Sequence, residues 1–178
     1  MFTITDKEFR QLSDYIKTNI GINLKETKKT FIVSRLQNVL LEMGFNNFSE
    51  YYNYLITDKT GNALVTLFDK ITTNHTFFMR EADHFYYFKN EVLPYLKNTV
   101  RDRDLRIWSA GCSSGEEPYT LAMIIDEFFG DEKKKWDRKI LATDISTRAL
   151  KKAVEGIYSK GEIASIPVQW KLKYFNQL

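Results

Sequence analysis

LRIWSAGCSSGEEPYTLAM, residues 105–123, runs from an apolar strand through a glycine turn into a helix. Residues 105–110 form a short buried-strand candidate, and residues 111–115 form the turn. Residues 116–129 are helical, with Leu121, Ala122, Ile124, Ile125 and Phe128 covering one apolar side. Downstream, residues 139–143 (KILAT) are a second strand. Ser146 then caps a helix that carries Ala149, Leu150, Ala153 and Val154 and ends at Gly156. Strand, glycine turn, helix, strand, helix is the start of a doubly wound α/β domain. Residues 168–175 are a further strand candidate in the tail.

Upstream the periodicity is helical. Thr5-Asp6-Lys7-Glu8 is a capping box, and Phe9, Leu12, Ile16 and Ile20 follow on one face, with Gly21 as the stop. A second helix carries Ile32, Leu36, Val39, Leu40 and Met43 and ends at Gly44. A third carries Phe48, Tyr51, Tyr52 and Leu55, and a fourth Leu64, Leu67, Phe68 and Ile71. Four amphipathic helices with short links make a small bundle. Residues 72–80 change from polar to aromatic to basic without a clear period. A helix over residues 82–97 follows, using Phe85, Phe88 and Val92, with Pro94 expected to fray its end.

Composition narrows the classes. With 28% charged and 43% hydrophobic residues, the 178-residue chain is a soluble globular protein. No apolar run approaches the roughly 18 residues of a membrane span, and the start has no signal-peptide pattern. One cysteine excludes an intrachain disulfide and fits a cytoplasmic protein. One Cys and two His argue against a metal site. A net charge of +3, evenly spread, does not predict nucleic-acid binding.

The turn at residues 111–115 sits where a strand feeds a helix, the end at which open α/β sheets take ligands. Its glycines allow positive φ and close approach of a ligand to the backbone, and the next helix offers unpaired N–H groups. It matches neither G-x-G-x-x-G nor a P-loop, and on its own it serves equally as an ordinary tight turn. Glu116 and Glu117 open the helix, where carboxylates also serve simply as dipole partners. Asp144 ends the second strand, a place where an acid receives ribose hydroxyls or caps the next helix. Acids without a phosphate motif suit S-adenosylmethionine, which carries a sulfonium and an amino group but no phosphate.

Three blocks carry a family resemblance. ITTNHTFFMREADHF (71–85), LRIWSAGCSSGEEPYTLAM (105–123) and ILATDISTRALKKAVEGIYS (140–159) resemble CheR, the chemotaxis receptor methyltransferase family, in order and spacing. The helical first 70 residues resemble its N-terminal domain. The distinctive features are Thr-Asn-x-Thr-x-Phe-x-Arg-Glu and Ser-x-Gly-Glu-Glu-Pro-Tyr, neither of them a generic methyltransferase pattern.

The resemblance implies a small N-terminal helical bundle (1–71), a linker with cofactor contacts (72–82) and the start of a doubly wound, Rossmann-like class I methyltransferase domain (83–178). It implies S-adenosylmethionine as cofactor, S-adenosylhomocysteine as product, and transfer of the methyl group to glutamates on the cytoplasmic domain of methyl-accepting chemotaxis receptors. Asn74, Thr76 and Arg80 match positions that contact the cofactor from the linker, and Arg80 the position that assists at the reacting end. Gly111, Cys112 and Ser113 match the backbone that lines the pocket, with Cys112 as a filler rather than a nucleophile. Glu117 and Asp144 match the acidic contacts. Lys28, Lys29 and Arg35 on the second helix are the candidates for a basic face that docks the acidic receptor; the family typically carries arginines there, and of the three only Arg35 is one.

Plainer roles stand beside these: local hydrogen bonds for Thr76 and Asn74, interdomain packing for Phe77 and Phe78, and a surface pair for Arg80-Glu81. A complete doubly wound domain needs more strands than the two countable here. The chain therefore reads as a truncated form with weak or no turnover, and its open sheet edge invites self-association. Two other functions remain open: a methyltransferase-like module for another substrate or a regulatory scaffold, and a nucleotide-binding α/β domain with a helical adaptor.

Overall fold

Thr5 begins the first helix, α1 (Asp6–Ile20), with a complete capping box. The Thr5 backbone N–H donates to Glu8 Oε2 at 2.9 Å, and the Glu8 N–H returns to Thr5 Oγ1 at 3.3 Å. The computed structural model describes residues 2–72 and 75–177. The chain divides into two compact units, Met1–Thr73 and Asn74–Leu178.

In the first unit α1 is followed by α2 (Lys29–Met43), α3 (Phe48–Thr57) and α4 (Asn62–Ile71). One buried cluster joins them: Phe9, Leu12 and Ile16 from α1, Ile32, Leu36, Val39 and Leu40 from α2, Phe48, Tyr51 and Leu55 from α3, and Ala63, Leu67 and Ile71 from α4. Burying each large side chain contributes about 1.5–3 kcal/mol. Met43, expected on the buried face of α2, is 43% exposed. Gly44 adopts φ +73° and turns the chain back, so that the Phe45 N–H reaches the Leu40 carbonyl at 2.9 Å. Phe45 then packs on the core, its ring 5.9 Å from that of Tyr51.

The second unit runs α5 (Ala82–Tyr87), a π-helical turn (Phe88–Val92), α6 (Leu93–Thr99), β1 (Ile107–Ala110), α7 (Glu116–Phe129), β2 (Ile140–Thr143), α8 (Thr147–Glu155) and α9 (Val168–Tyr174). Pro94 does not end its helix, which continues to Thr99. The Leu93 N–H donates to Phe88 O, five residues back. This widened turn accommodates a proline that has no N–H and crowds the preceding turn.

β1 and β2 are parallel, pairing Ile107 with Ile140, Trp108 with Leu141, Ser109 with Ala142 and Ala110 with Thr143. The first strand is shorter than its apolar run, because Arg106 adopts φ +49° and breaks the extended backbone. Ile107 and Ile140 pack against Phe85, Leu93, Ile124, Ile125 and Phe129. Trp108 and Leu141, on the opposite face, are 64% and 60% exposed. The tail candidate at residues 168–175 is helical rather than a strand. Trp170 and Tyr174, four residues apart, turn inward with ring centroids 6.4 Å apart, while Leu172 is 81% exposed. A helical bundle followed by strand, helix, strand and helix, with the two strands parallel, is the pattern that opens a doubly wound α/β domain.

Candidate cofactor site

The C-terminal ends of β1 and β2 shape the glycine turn. The Gly111 and Cys112 N–H groups both donate to the Thr143 carbonyl at 2.8 Å. The Ser113 N–H donates to Asp144 Oδ2 at 2.7 Å. The other oxygen of Asp144 accepts the Ser146 N–H at 2.8 Å, while Ser146 Oγ caps α8 through the Ala149 N–H. Asp144 thus clamps the turn to the start of α8, and the two roles open for it in the sequence are not exclusive. A carboxylate has about four lone-pair sites, and backbone donors occupy two of them.

The two glycines differ. Gly111 (φ +91°) is exposed, with open space where a side chain would begin. Gly115 (φ +98°) is enclosed: an added Cβ would lie 2.8 Å from the Tyr158 hydroxyl and 3.1 Å from both Ala153 and Tyr119. Open space is therefore a property of Gly111, whereas Gly115 is required by the protein's own packing. Between them Ser113 holds φ +48°, a conformation uncommon for a non-glycine residue. Its Oγ is buried and has no hydrogen-bond partner among the described residues.

Glu117 is exposed, and its Oε1 accepts the Ser109 hydroxyl at 2.7 Å. Glu116, read from sequence only as a dipole partner, is the buried one of the pair, and both its oxygens accept from Ser114 Oγ at 2.8–2.9 Å. Cys112 is buried, and burial followed by the negative charge of Asp144 pushes its thiol above the usual range. A protonated thiol there fills space and is no nucleophile.

The segment before α5 adds a second element. Asn74 lies outside the described residues. Thr76 is half-buried, and Arg80 is exposed, its guanidinium donating to the His75 carbonyl at 2.8 Å. Met79 (φ +62°) and Glu81 (φ +56°) flank Arg80 in left-handed conformations. Phe78 is fully buried, and its carbonyl accepts the Ser165 hydroxyl at 2.9 Å. Glu81 faces His84 at 3.2 Å, so the surface pair expected with Arg80 is formed with His84.

Of the basic residues in the first unit, Lys28 and Arg35 lie over the Phe31 ring at 5.9 and 5.3 Å from its centroid. Lys29 points elsewhere: it pairs with Asp6 at 2.5 Å and lies over Phe9. Two residues lie inside the motif blocks but were not singled out from sequence: Ser109, which donates to Glu117, and Tyr158, whose partner lies 44 positions away. Among the described residues no group of His, Cys, Asp and Glu could hold a metal ion, and no helix is long and apolar enough to cross a membrane.

A parallel strand–turn–helix–strand unit with an acid at the end of its second strand is of the Rossmann-like class. Family models place the chain within that class. The CheR methyltransferase SAM-binding domain matches residues 74–178, and the CheR methyltransferase all-alpha domain matches residues 7–72. The chain is similar to the chemotaxis protein methyltransferase of Borreliella burgdorferi, with 48% identity over 98% of this chain and 63% of that protein. It is also similar to the chemotaxis protein methyltransferase of Escherichia coli, with 34% identity over 97% of this chain and 57% of that protein. Chemotaxis protein methyltransferase 2 of Vibrio cholerae is 32% identical over 97% of this chain and 60% of its own length. The chain belongs to the CheR methyltransferase family, and it spans less than two thirds of the length of these relatives.

Proposed function

We propose that these residues serve an S-adenosylmethionine-dependent methyltransferase that esterifies glutamate side chains of chemotaxis receptors. The observation that carries the cofactor assignment is Ser113. Its buried hydroxyl has no partner among the described residues and sits on a left-handed backbone clamped by Asp144, beside the open space at Gly111. An unsatisfied buried hydroxyl costs about 1–3 kcal/mol, and a polar ligand on this turn removes that cost. The acids fit a ligand with amino and ribose groups and no phosphate. Glu117 is exposed for the amino group or ribose, and Asp144 keeps lone pairs for ribose hydroxyls. Asn74, Thr76, Arg80, Gly111 and Cys112 complete the proposed contacts.

When bound, this cofactor supplies a methyl group on a sulfonium, an electrophile that needs no activation. A glutamate acceptor is ionised at pH 7, so these residues have to orient and exclude water rather than move protons. Positioning of this kind lowers a barrier by about 7–11 kcal/mol in favourable cases. Arg80 is the residue we assign to the reacting end.

Receptor docking falls to Lys28 and Arg35 around Phe31, because Lys29 is already neutralised by Asp6. The test uses the complete gene product, labelled S-adenosylmethionine and receptor cytoplasmic domains. Alkali-labile label on glutamate is the expected result, and label in an alkali-stable form or none at all contradicts the ester assignment. Reversing charge at Lys28 and Arg35 is expected to cut receptor methylation about tenfold or more while sparing cofactor binding. Unchanged methylation removes the docking assignment.

A further inference from the structure

We propose that Tyr158 is a positioning residue for the cofactor site: its hydroxyl fixes the glycine turn, and its ring joins that turn to the segment carrying Arg80. This inference rests on the cofactor assignment made above.

The Tyr158 hydroxyl donates to the Ser114 carbonyl at 2.6 Å. The backbone N–H groups of residues 111–113 are held from the end of β2: Thr143 O holds Gly111 and Cys112, and Asp144 holds Ser113. Tyr158, which follows α8, grips the turn from its far end. The fit is mutual, because the hydroxyl occupies the space that any side chain at position 115 would need. Substituting either residue disturbs the same contact.

The ring faces the other way. Its centroid lies 4.9 Å from Phe78 in a T-shaped arrangement, and Phe175 and Tyr119 stand at 6.5 and 6.1 Å. Phe78 is fully buried and precedes Arg80 by two residues, with the left-handed Met79 between them. A residue in so uncommon a conformation persists only where its surroundings hold it, and Tyr158 is part of what holds Phe78. Burial first, then the charge of Glu116, pushes the phenol above its ordinary range, so it remains a donor at physiological pH. One side chain therefore braces both segments assigned to the cofactor. A pre-shaped site loses less freedom on binding.

The two ends of the side chain can be tested separately in the complete gene product. Tyr158→Phe removes the hydroxyl and keeps the ring. By calorimetry at a temperature where both proteins are folded, it is expected to weaken S-adenosylhomocysteine binding about 3- to 10-fold. Amide resonances of residues 111–115 should shift, and those of residues 75–81 should stay. Tyr158→Leu removes the ring contacts as well and is expected to disturb both sets. A hydroxyl that is merely structural lowers the melting temperature without changing affinity, so a Tyr158→Phe dissociation constant within twofold of the parent overturns the inference. Fluorotyrosine labelling of the unsubstituted protein gives an independent readout: the Tyr158 resonance should move when S-adenosylhomocysteine is added, and a stationary resonance overturns the inference. Binding by parent and variant alike leaves the cofactor assignment standing and removes only the role of Tyr158. No binding by the parent overturns both.

Discussion

The two units handle left-handed backbone differently. In the helical unit, every described residue with positive φ is a glycine: Gly21, Gly44 and Gly61, each at a helix end. In the α/β unit, Met79, Glu81, Arg103, Arg106 and Ser113 also hold positive φ. Met79 and Glu81 bracket Arg80, and Ser113 lies in the glycine turn. Non-glycine residues in this region cost of order 1–3 kcal/mol each where the conformation is strained. The first unit is relaxed and closed around one apolar cluster. The second keeps strained backbone and exposed Trp108 and Leu141 on its sheet, while each unit holds one buried hydroxyl without a partner among the described residues, Ser113 here and Tyr51 in the first. Three of these five non-glycine residues, Met79, Glu81 and Ser113, lie at or beside proposed ligand contacts, and Arg103 and Arg106 precede β1.

Substitutions can break that contrast. Gly115→Ala has the largest expected effect. It places a side chain at φ +98° and 2.8 Å from the Tyr158 hydroxyl, so it should destabilise the α/β unit by about 2–4 kcal/mol, as measured by denaturant unfolding. Gly111→Ala, with open space around it, is the control that incurs the backbone strain alone.

In the helical unit the counterpart is Glu8. Its carboxylate is buried and accepts from the Thr5 N–H and hydroxyl and from the Ser49 N–H and hydroxyl, joining α1 to α3. Glu8→Ala should cost about 2–3 kcal/mol. Burial alone would raise the Glu8 pKa, but the hydrogen bonds from Thr5 and Ser49 win and lower it. A folded pKa below the unfolded one stabilises the protein at pH values above the unfolded pKa of about 4.3. That contribution is lost as pH falls through the folded value. The parent should therefore lose stability in acid more steeply than Glu8→Gln, as followed by circular dichroism during an acid titration.

Tyr51→Phe is the smallest effect and has the opposite sign. The Tyr51 hydroxyl is buried without a partner among the described residues, so removing it should leave stability unchanged or raise it by up to about 1 kcal/mol. A marked loss of stability would show that the helical unit is less complete than its packing indicates.

Local chemistry was legible in the sequence, and long-range chemistry was not. The Thr5–Glu8 capping box, the helix faces and the strand–turn–helix–strand order all depend on residues a few positions apart. Ser49's share of Glu8, Asp6's capture of Lys29 and Tyr158's grip on Ser114 span 41, 23 and 44 positions, and no periodicity encodes them. Residues 168–175 misled for a different reason. Val168, Trp170, Leu172 and Tyr174 alternate with polar residues, a strand-like pattern, but only Trp170 and Tyr174 turn inward, and they do so at helical spacing. The candidate site was visible as motif blocks that set Gly111 and Glu117 apart, yet the enclosure of Gly115 and the burial of Glu116 emerged only from packing.

The central claim is that the strained turn and its acid form an S-adenosylmethionine site. Calorimetric titration of S-adenosylhomocysteine into the complete gene product, beside its Asp144→Ala variant, tests it most directly. One-site binding by the parent and affinity about 10- to 100-fold weaker in the variant are expected. No binding by the parent, or equal binding by both, would contradict it.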